Sequence, residues 1–139
     1  MSVFNAMNVS ASGLTAERLR MDVVAGNIAN ANTTRTEEGG AYRRKVAVFE
    51  EYLASSTNSS KKKVRGVMAK EIVEDPSEME LVYNPTHPDA DENGYVEMPN
   101  VDLLTEMTDL MVATRSYEAN VTALNASKGM YVKALEIGR

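Results

Sequence analysis

The C-terminal forty residues carry the most constraining pattern in the chain. Between Asn100 and Arg139, mostly apolar or aromatic residues recur at alternating steps of four and three, the spacing of a heptad seam on an α-helix. No proline interrupts the run, and its one interior glycine is Gly129. At ~1.5 Å per residue the helix would be roughly 55 Å long, too long for a compact domain of this size. The seam consists of Leu103, Met107, Leu110, Thr114, Tyr117, Val121, Leu124, Lys128, Tyr131 and Leu135.

Signals for the ends of this helix agree with the pattern. Pro99 precedes Asn100, which is a suitable N-cap, so we expect the helix to begin there. Acidic residues come early and basic residues late, the order that the helix dipole favours: Asp102, Glu106 and Asp109, then Lys128, Lys133 and Arg139.

A second helical pattern runs from Val3 to about Ala31. Its apolar residues recur at intervals of seven, at Met7, Leu14, Met21 and Ile28. Capping groups at Ser12, Thr15 and Glu17 leave open a start only near Gly13. Asparagine side chains compete for backbone hydrogen bonds, so the helix should loosen towards its end at Asn27, Asn30 and Asn32.

The middle of the chain is different in character. A Gly39-Gly40 turn precedes three short strands predicted at 42–53, 64–73 and 79–83. The Ser, Asn and Lys tract at 54–63 predicts a mobile loop, and the Pro- and Asp-rich stretch at 84–94 predicts extended turns. Three short strands cannot form a sizeable independent domain.

The two helices have more apolar surface than one pairing can cover. Several apolar residues lie off both seams, and leaving half a dozen of them exposed forfeits several kcal/mol at ~25 cal/mol per Å². We therefore expect neighbouring copies or related chains to cover the second faces. The apolar residues that lie off the seams are Leu104, Met111, Met130 and Ile137 on the C-terminal helix and Val9, Leu19 and Val23 on the N-terminal helix.

Composition excludes several classes of function. A net charge of −5 and a pI near 4.9 argue against a nucleic-acid binder, which needs clustered Lys and Arg. The chain has no cysteine for disulfides or thiolate metal sites. The sequence also has neither a signal-peptide pattern near its start nor an apolar run of 18 residues, so we expect no cleaved signal and no membrane insertion.

Candidate chemical sites are weak. Asp89, Asp91, Asn93 and Gly94 match the opening of a calcium loop, but position twelve is Asn100 instead of the glutamate that the loop needs. An acidic turn is the better interpretation, and a calcium-responsive module remains a minor alternative.

Other charged groups are better explained as surface features. The single histidine, His87, has no catalytic partner in a recognisable motif. Solvated charge accounts for the carboxylates Glu50, Glu51, Asp75, Glu78 and Glu80, and exposed loops account for the basic clusters Arg43–Lys45 and Lys61–Lys63 with Arg65. No P-loop, GxGxxG or GxSxG is present. We therefore expect neither enzymatic activity nor a cofactor.

Specific motifs resemble one family over nearly the whole chain. An N-x-A-N element at Asn27–Asn30 is shared by the wider flagellar rod and hook family, whereas Y-x-P-x-x-P…GYV-x-x-PNV at 83–101 and R-S-Y-x-A-N-V at 115–121 are more particular to the proximal-rod, or FlgC, type. The longer similar segments are GLTAERLRMDVVAGNIANANTTR, AYRRKVAVFEE, LVYNPTHPDADENGYVEMPNVD and SYEANVTALNASKGMYVKALEIG. Gly26, where the family more often has Ser or Asn, and the short middle loop depart from the pattern.

This resemblance implies a structural subunit of the bacterial flagellar basal body in the cell envelope, exported by the type III apparatus without a cleaved signal. Its partners would be copies of itself, other proximal and distal rod proteins and the rod-to-MS-ring adaptor. The expected fold class is mainly α, with the terminal helices forming a coiled-coil pair around a small β-containing middle. Residues 1–33 and 99–139 would form the axial core and transmit torque, with 34–98 outside. A soluble coiled-coil adaptor outside any flagellum is the alternative.

Overall fold

The structure, a computed structural model, describes residues 3–54 and 63–138. Its elements in chain order are helix α1 (Val3–Ala29), strands β1 (Lys45–Ala54), β2 (Lys63–Glu74), β3 (Glu80–Tyr83) and β4 (Tyr95–Met98), and helix α2 (Leu103–Ile137). Strands β1 and β2 form one antiparallel pair, and β3 and β4 form another. The predicted fold class, two long terminal helices around a small β-containing middle, is confirmed.

The two helices pack against each other in opposite directions. Near the start of α1, the ring of Phe4 meets the ring of Tyr131 edge to face, with centroids 5.2 Å apart. Near the end of α1, Asn27 Nδ2 donates a hydrogen bond of 2.9 Å to Glu106 Oε2. As residue numbers rise along α1 they therefore fall along α2, and the pair is an antiparallel helical hairpin.

Small and polar residues of α2 lie closest to α1. Glu106, Ala113 and Ser127 are the buried residues of α2. Asn120 lies on the same line, and a Cβ added at Gly13 of α1 would come within 2.9 Å of its amide. Because these side chains are short or hydrogen-bonded, the two helices approach each other closely along a line with a period of seven.

Helix α1 begins earlier than its capping residues suggested. The alternative start near Gly13 is wrong, because the helix is continuous from Val3. The hydroxyls of Ser12 and Thr15 donate instead to the carbonyls of Val9 and Ala11 inside the helix, at 2.7 and 3.2 Å. A serine or threonine that bonds to the preceding turn does not need to cap.

The end of α1 and the turn after it follow the prediction. The helix ends at Ala29, and the N–H of Asn30 is shared between the carbonyls of Gly26 and Asn27. Gly39 and Gly40 have φ of +88° and +79°, and the Gly40 carbonyl accepts from the N–H of Thr36. Glycine reaches this left-handed region without steric cost, so the turn is local in origin.

The hairpin of β1 and β2 lies where the sequence predicted the first two strands. The two strands have 10 and 12 residues and pair from Lys45 with Glu74 to Ala54 with Lys63. The strands predicted at 42–53 and 64–73 are therefore present, with ends displaced by one to three residues, and cross-strand pairing decides where each ladder stops. The predicted mobile loop, apart from its end residues, lies outside the described residues.

The hairpin is held against α1. The N–H of Val67 donates to Ser12 Oγ at 3.1 Å, and the guanidinium of Arg20 lies 5.2 Å from the centroid of the Phe49 ring. Gly66, with φ of +133°, permits this approach, since a Cβ there would lie 1.9 Å from Ser12 Oγ. Any larger side chain at position 66 would push the hairpin away from the helix.

A strand that the sequence analysis missed completes the second sheet. Tyr95–Met98 pairs with Glu80–Tyr83, and the rings of Tyr83 and Tyr95 stack edge to face at 5.3 Å. The stretch between them consists of turns, as predicted. Asp91 Oδ1 accepts from the N–H groups of Asn93 and Tyr95 at 2.9 and 2.8 Å, which positions the returning strand.

The N-cap of α2 is Asp102, two residues later than predicted. Its carboxylate accepts from the N–H of Leu104 and the hydroxyl of Thr105. The prediction of Asn100 was wrong because the Asn100 amide has tertiary partners: it accepts from the N–H of Arg44 at 2.8 Å and donates to Ser77 Oγ at 2.8 Å. Sequence alone does not show that the amide is already occupied.

A buried asparagine joins both helices to the start of β1. Asn27 is fully buried, and its Oδ1 accepts from the N–H of Lys45 and the hydroxyl of Tyr42, both at 2.9 Å. Its Nδ2 donates to the Lys45 carbonyl at 2.8 Å and to Glu106 at 2.9 Å. The amide therefore has both donors and both acceptor sites filled, which is the condition for burying it at little cost.

Arg44 neutralises the buried carboxylate beside it. Its Nε donates to Glu106 Oε1 at 2.5 Å, and its two terminal nitrogens lie 3.3 Å from Asp75 and Asp109. Burial lowers the pKa of Arg44, but hydrogen bonds and charges from Glu106 and Asp75 outweigh it, so the pKa lies above its usual value. Burial, then the charge of Glu106, raises the pKa of Tyr42. We call Asn27, Tyr42, Arg44 and Glu106 the polar cluster.

Replacing Asn27 by leucine should destabilise the fold. Asn27→Leu leaves Glu106 Oε2 and the N–H and carbonyl of Lys45 without their hydrogen-bond partner, although Arg44 still pairs with Glu106 Oε1, so the free energy of unfolding should fall by about 3 kcal/mol. Urea unfolding followed by far-UV circular dichroism measures the change. Asn32→Leu, at an exposed position in the turn after α1, is the matched control, and equal stability of the two variants would contradict the structural role of the cluster.

The structure also predicts a loss of stability in acid. Hydrogen bonds from Thr105, then from the N–H of Leu104, hold the pKa of Asp102 below its usual value, and the N–H and hydroxyl of Ser77 do the same for Asp75. Because the folded pKa values are lower than the unfolded values of about 4, this stability is present at neutral pH and is lost as pH falls from about 5 to about 2.

Asp102→Asn tests the linkage directly, since asparagine also caps helices. We expect its urea midpoint to fall less than that of the unmodified chain between neutral pH and pH ~3. Parallel pH profiles of the two proteins would show that the Asp102 carboxylate has no part in acid stability.

Candidate assembly interface

The predicted seam of α2 divides into two groups in the structure. Leu110, Tyr117, Val121 and Leu124 are half-buried, and Tyr131 packs on Phe4. The remaining members are exposed on the helix surface, namely Leu103, Met107, Thr114, Lys128 and Leu135. The antiparallel pair therefore covers only part of the seam.

The seam is only partly covered because half of the residues of α2 that face α1 lie outside the predicted seam. Positions 110, 117, 124 and 131 belong to both the predicted seam and the observed contact line. The other half of the contact line is Glu106, Ala113, Asn120 and Ser127, each one residue before Met107, Thr114, Val121 and Lys128. A shift of one residue turns these positions by about 100° around the helix, so Met107, Thr114 and Lys128 are exposed while Val121 stays half-buried.

The predicted seam of α1 lies against the rest of the molecule. Met7, Leu14, Met21 and Ile28 are all half-buried, and the Met21 sulfur accepts from the Thr114 hydroxyl at 3.6 Å. The two asparagines of the predicted site are also placed inward: Asn27 belongs to the polar cluster, and the half-buried Asn30 amide donates to the Gly26 carbonyl at 2.9 Å. Both asparagines thus have local structural roles at the end of α1.

Several large apolar side chains are exposed to solvent on the outer surfaces of the two helices. Leu104, Met111, Met130 and Ile137 are 74, 62, 62 and 85% exposed. Val9 is also exposed, as expected, whereas Leu19 and Val23 are half-buried under the rest of the fold. Isolated exposed leucines are common on proteins, but a concentration of this kind on one helix marks an interaction surface.

The exposed apolar residues of α2 concentrate at its two ends. We call Leu103, Leu104, Met107 and Met111 the N-terminal patch, and Met130 and Ile137, which lie seven residues apart on one side of the helix, the C-terminal patch; Val132 and Leu135 are exposed on the opposite side. Between them, apart from the exposed Val112, the exposed side chains are small, polar or charged: Arg115 and Glu118 form an exposed ion pair of 3.0 Å, and Thr122 is exposed. The C-terminal patch also carries a Lys133–Glu136 ion pair of 2.7 Å.

The candidate calcium residues are engaged by protein groups. The Thr34 hydroxyl donates to Asp89 at 2.8 Å, and Arg35 forms an ion pair with the same carboxylate. The Thr34 hydrogen bond, then the Arg35 charge, holds the pKa of Asp89 below its usual value. His87 Nδ1 accepts from the Asp89 N–H at 3.1 Å, so this histidine stabilises the turn. Asp91 is occupied by backbone donors of the same turn.

Other charged residues also have structural partners. Arg44, placed in an exposed basic cluster by the sequence analysis, is a member of the polar cluster, so that interpretation was wrong. Across residues 3–54 and 63–138, no group of three or more His, Cys, Asp or Glu residues is arranged to hold a metal ion. Within the same residues, neither helix combines the length and the apolar character needed to cross a bilayer.

Comparison with known families identifies two matching segments. Residues 7–35 match the family model described as flagella basal body rod protein. Residues 92–137 match the model described as flagellar basal body rod FlgEFG protein C-terminal. These segments cover most of α1 and all of α2, the helices that carry the candidate interface.

Curated relatives align along the whole chain. The flagellar basal-body rod protein FlgC of Bacillus subtilis is 51% identical, with 100% of both chains covered. The FlgC proteins of Borreliella burgdorferi and Escherichia coli O6:H1 are 42% and 40% identical, over 99% and 100% of this chain and 98% and 100% of theirs. With similarity of this extent and a fold of two terminal helices that leave apolar surface uncovered, the chain belongs to the FlgC family of bacterial flagellar basal-body rod proteins.

Proposed function

We propose that the chain is a non-enzymatic subunit of the proximal rod that polymerises through its terminal helices and transmits torque. Residues 1–33 and 99–139 form the axial core, and residues 34–98 lie outside it. Helix α2, with 35 residues, is about 52 Å long and gives each subunit a stiff axial element. Supporting this assignment are the family membership and the helical pair at the centre of the fold.

The observation that carries the proposal is the exposed apolar surface of α2. Fully burying one leucine or methionine contributes about 1.5–3 kcal/mol, so covering even part of the two patches would drive association. In a protein that functioned as an isolated monomer, the exposure of Leu104 and Ile137 to water would be unfavourable without any compensating role. Neighbouring helices in a rod would cover both.

Family membership also suggests the partners. Adjacent rod proteins, copies of this chain and the adaptor between the rod and the MS ring would supply the covering helices. Export would use the flagellar type III apparatus, which accepts unfolded chains, and no cleaved signal is needed for that route. A subunit whose helices keep exposed apolar surface suits a route in which the chain is exported unfolded and then folds against its neighbours.

Placing a charge in the N-terminal patch should block assembly without unfolding the subunit. Met111→Asp replaces an exposed apolar side chain, so we expect an unchanged thermal midpoint but a loss of rod incorporation and swimming. Thr122→Asp adds the same charge in the polar middle of α2, and we expect this variant to retain rod incorporation and swimming. Soft-agar motility and immunoblots of purified basal bodies measure the outcome.

Normal swimming of the Met111→Asp strain would contradict assembly through this surface. A stable isolated dimer of the unmodified chain, unaffected by Met111→Asp, would favour the coiled-coil adaptor instead. Export of the variant, measured in culture supernatant, separates an assembly defect from a secretion defect.

Charges at half-buried positions of the α2 seam should destabilise the subunit itself as well as block assembly. Leu110 and Leu124 are half-buried, so Leu110→Asp or Leu124→Asp should lower the free energy of unfolding by about 2–4 kcal/mol and also abolish swimming, while export continues. Urea unfolding of the purified variants distinguishes this class from Met111→Asp. Unchanged unfolding together with normal motility would refute a role for the seam.

A further inference from the structure

An acidic groove lies beside the N-terminal patch. It has a volume of about 460 Å³ and lies between the segment before β3 and the start of α2. Its apolar lining includes Met79, Val101 and Leu103, and its carboxylates come from Glu78, Glu80 and Asp102. No lysine or arginine is among the residues that line it.

The groove and the N-terminal patch form one continuous surface. Leu103 lines the groove and is also the first residue of the patch, followed by the exposed side chains of Leu104 and Met107. The combined surface is an apolar strip with an acidic margin. A partner that fits it must bring apolar side chains for the strip and cations for the margin.

The C-terminal patch of α2 has this complementary chemistry. Met130 and Ile137 are exposed on one side of the helix, and the exposed Lys133 lies between them on the same side, three residues after one and four before the other. The segment that contains it matches a model of the C-terminal region of related rod proteins. The same type of helix end is therefore expected on adjacent subunits of the rod.

We propose that the groove and the N-terminal patch bind the C-terminal end of the α2-type helix of an adjacent rod subunit. This inference rests on the proposed function and adds to it the identity of the contacting surfaces. Contact between opposite helix ends leaves the Arg115–Glu118 pair in water, whereas pairing of two helices along their whole lengths would bury it at a cost in desolvation.

A site-specific cross-link tests the contact in assembled rods. A photoreactive benzoylphenylalanine replaces Leu104 in cells, basal bodies are purified and irradiated, and linked peptides are identified by mass spectrometry. We expect links to the C-terminal helix of a rod subunit, either this chain or a family member. The same group at Thr122, in the polar middle, is the matched control and should give few such links.

Neutralising the groove tests the charge complementarity. Glu78→Gln with Glu80→Gln should lower the yield of the Leu104 cross-link about threefold, as expected for the loss of two surface ion pairs. Glu37→Gln with Glu38→Gln removes two exposed charges from the distant turn after α1 and should leave the yield unchanged.

The outcomes separate this inference from the proposed function. Links that map to an N-terminal helix, a middle region or a ring protein, or a yield no higher than at Thr122, would overturn the inference while the chain remains a rod subunit. Absence of the chain from purified basal bodies would overturn both. Equal cross-link yields in the two glutamine variants would show that Glu78 and Glu80 do not contribute to the contact, which contradicts the proposed charge complementarity.

Discussion

The hydrogen bonds of the polar cluster determine how the elements of this small protein fit together. Helix α1 supplies Asn27, helix α2 supplies Glu106, and the segment before β1 supplies Tyr42 and Arg44. Apolar heptad seams can slip by one repeat with little penalty, but a slip here would leave a carboxylate and an amide buried without partners. The cluster therefore selects one register for the helices and anchors the hairpin in the same step.

Sequence patterns predicted the features that depend on local spacing. The two helices, the Gly39-Gly40 turn and the 84–94 turns all follow from periodicity and backbone preference. The predictions failed where tertiary partners decide the outcome. Asn100 looks like a helix cap but is held by Arg44 and Ser77, and β4 is visible only once β3 lies beside it.

The contact line of α2 shows the same limit in the candidate interface. A heptad pattern identifies apolar positions, yet it did not show that Ala113 and Ser127 would be buried while Thr114 and Lys128 remain exposed. The available signal was the row of short or polar residues at intervals of seven, Glu106, Ala113, Asn120 and Ser127. Close helix approach favours such residues, so large apolar side chains remain outside for other molecules.

The antiparallel helical hairpin makes each molecule directional. The beginning of α1 and the end of α2 lie side by side, as the Phe4–Tyr131 contact shows, whereas the polar cluster lies towards the other end of the pair. A stack of such units in one orientation has two unlike extremities. A growing tip would then present a different chemical surface from the base, so that addition at one extremity need not be matched at the other.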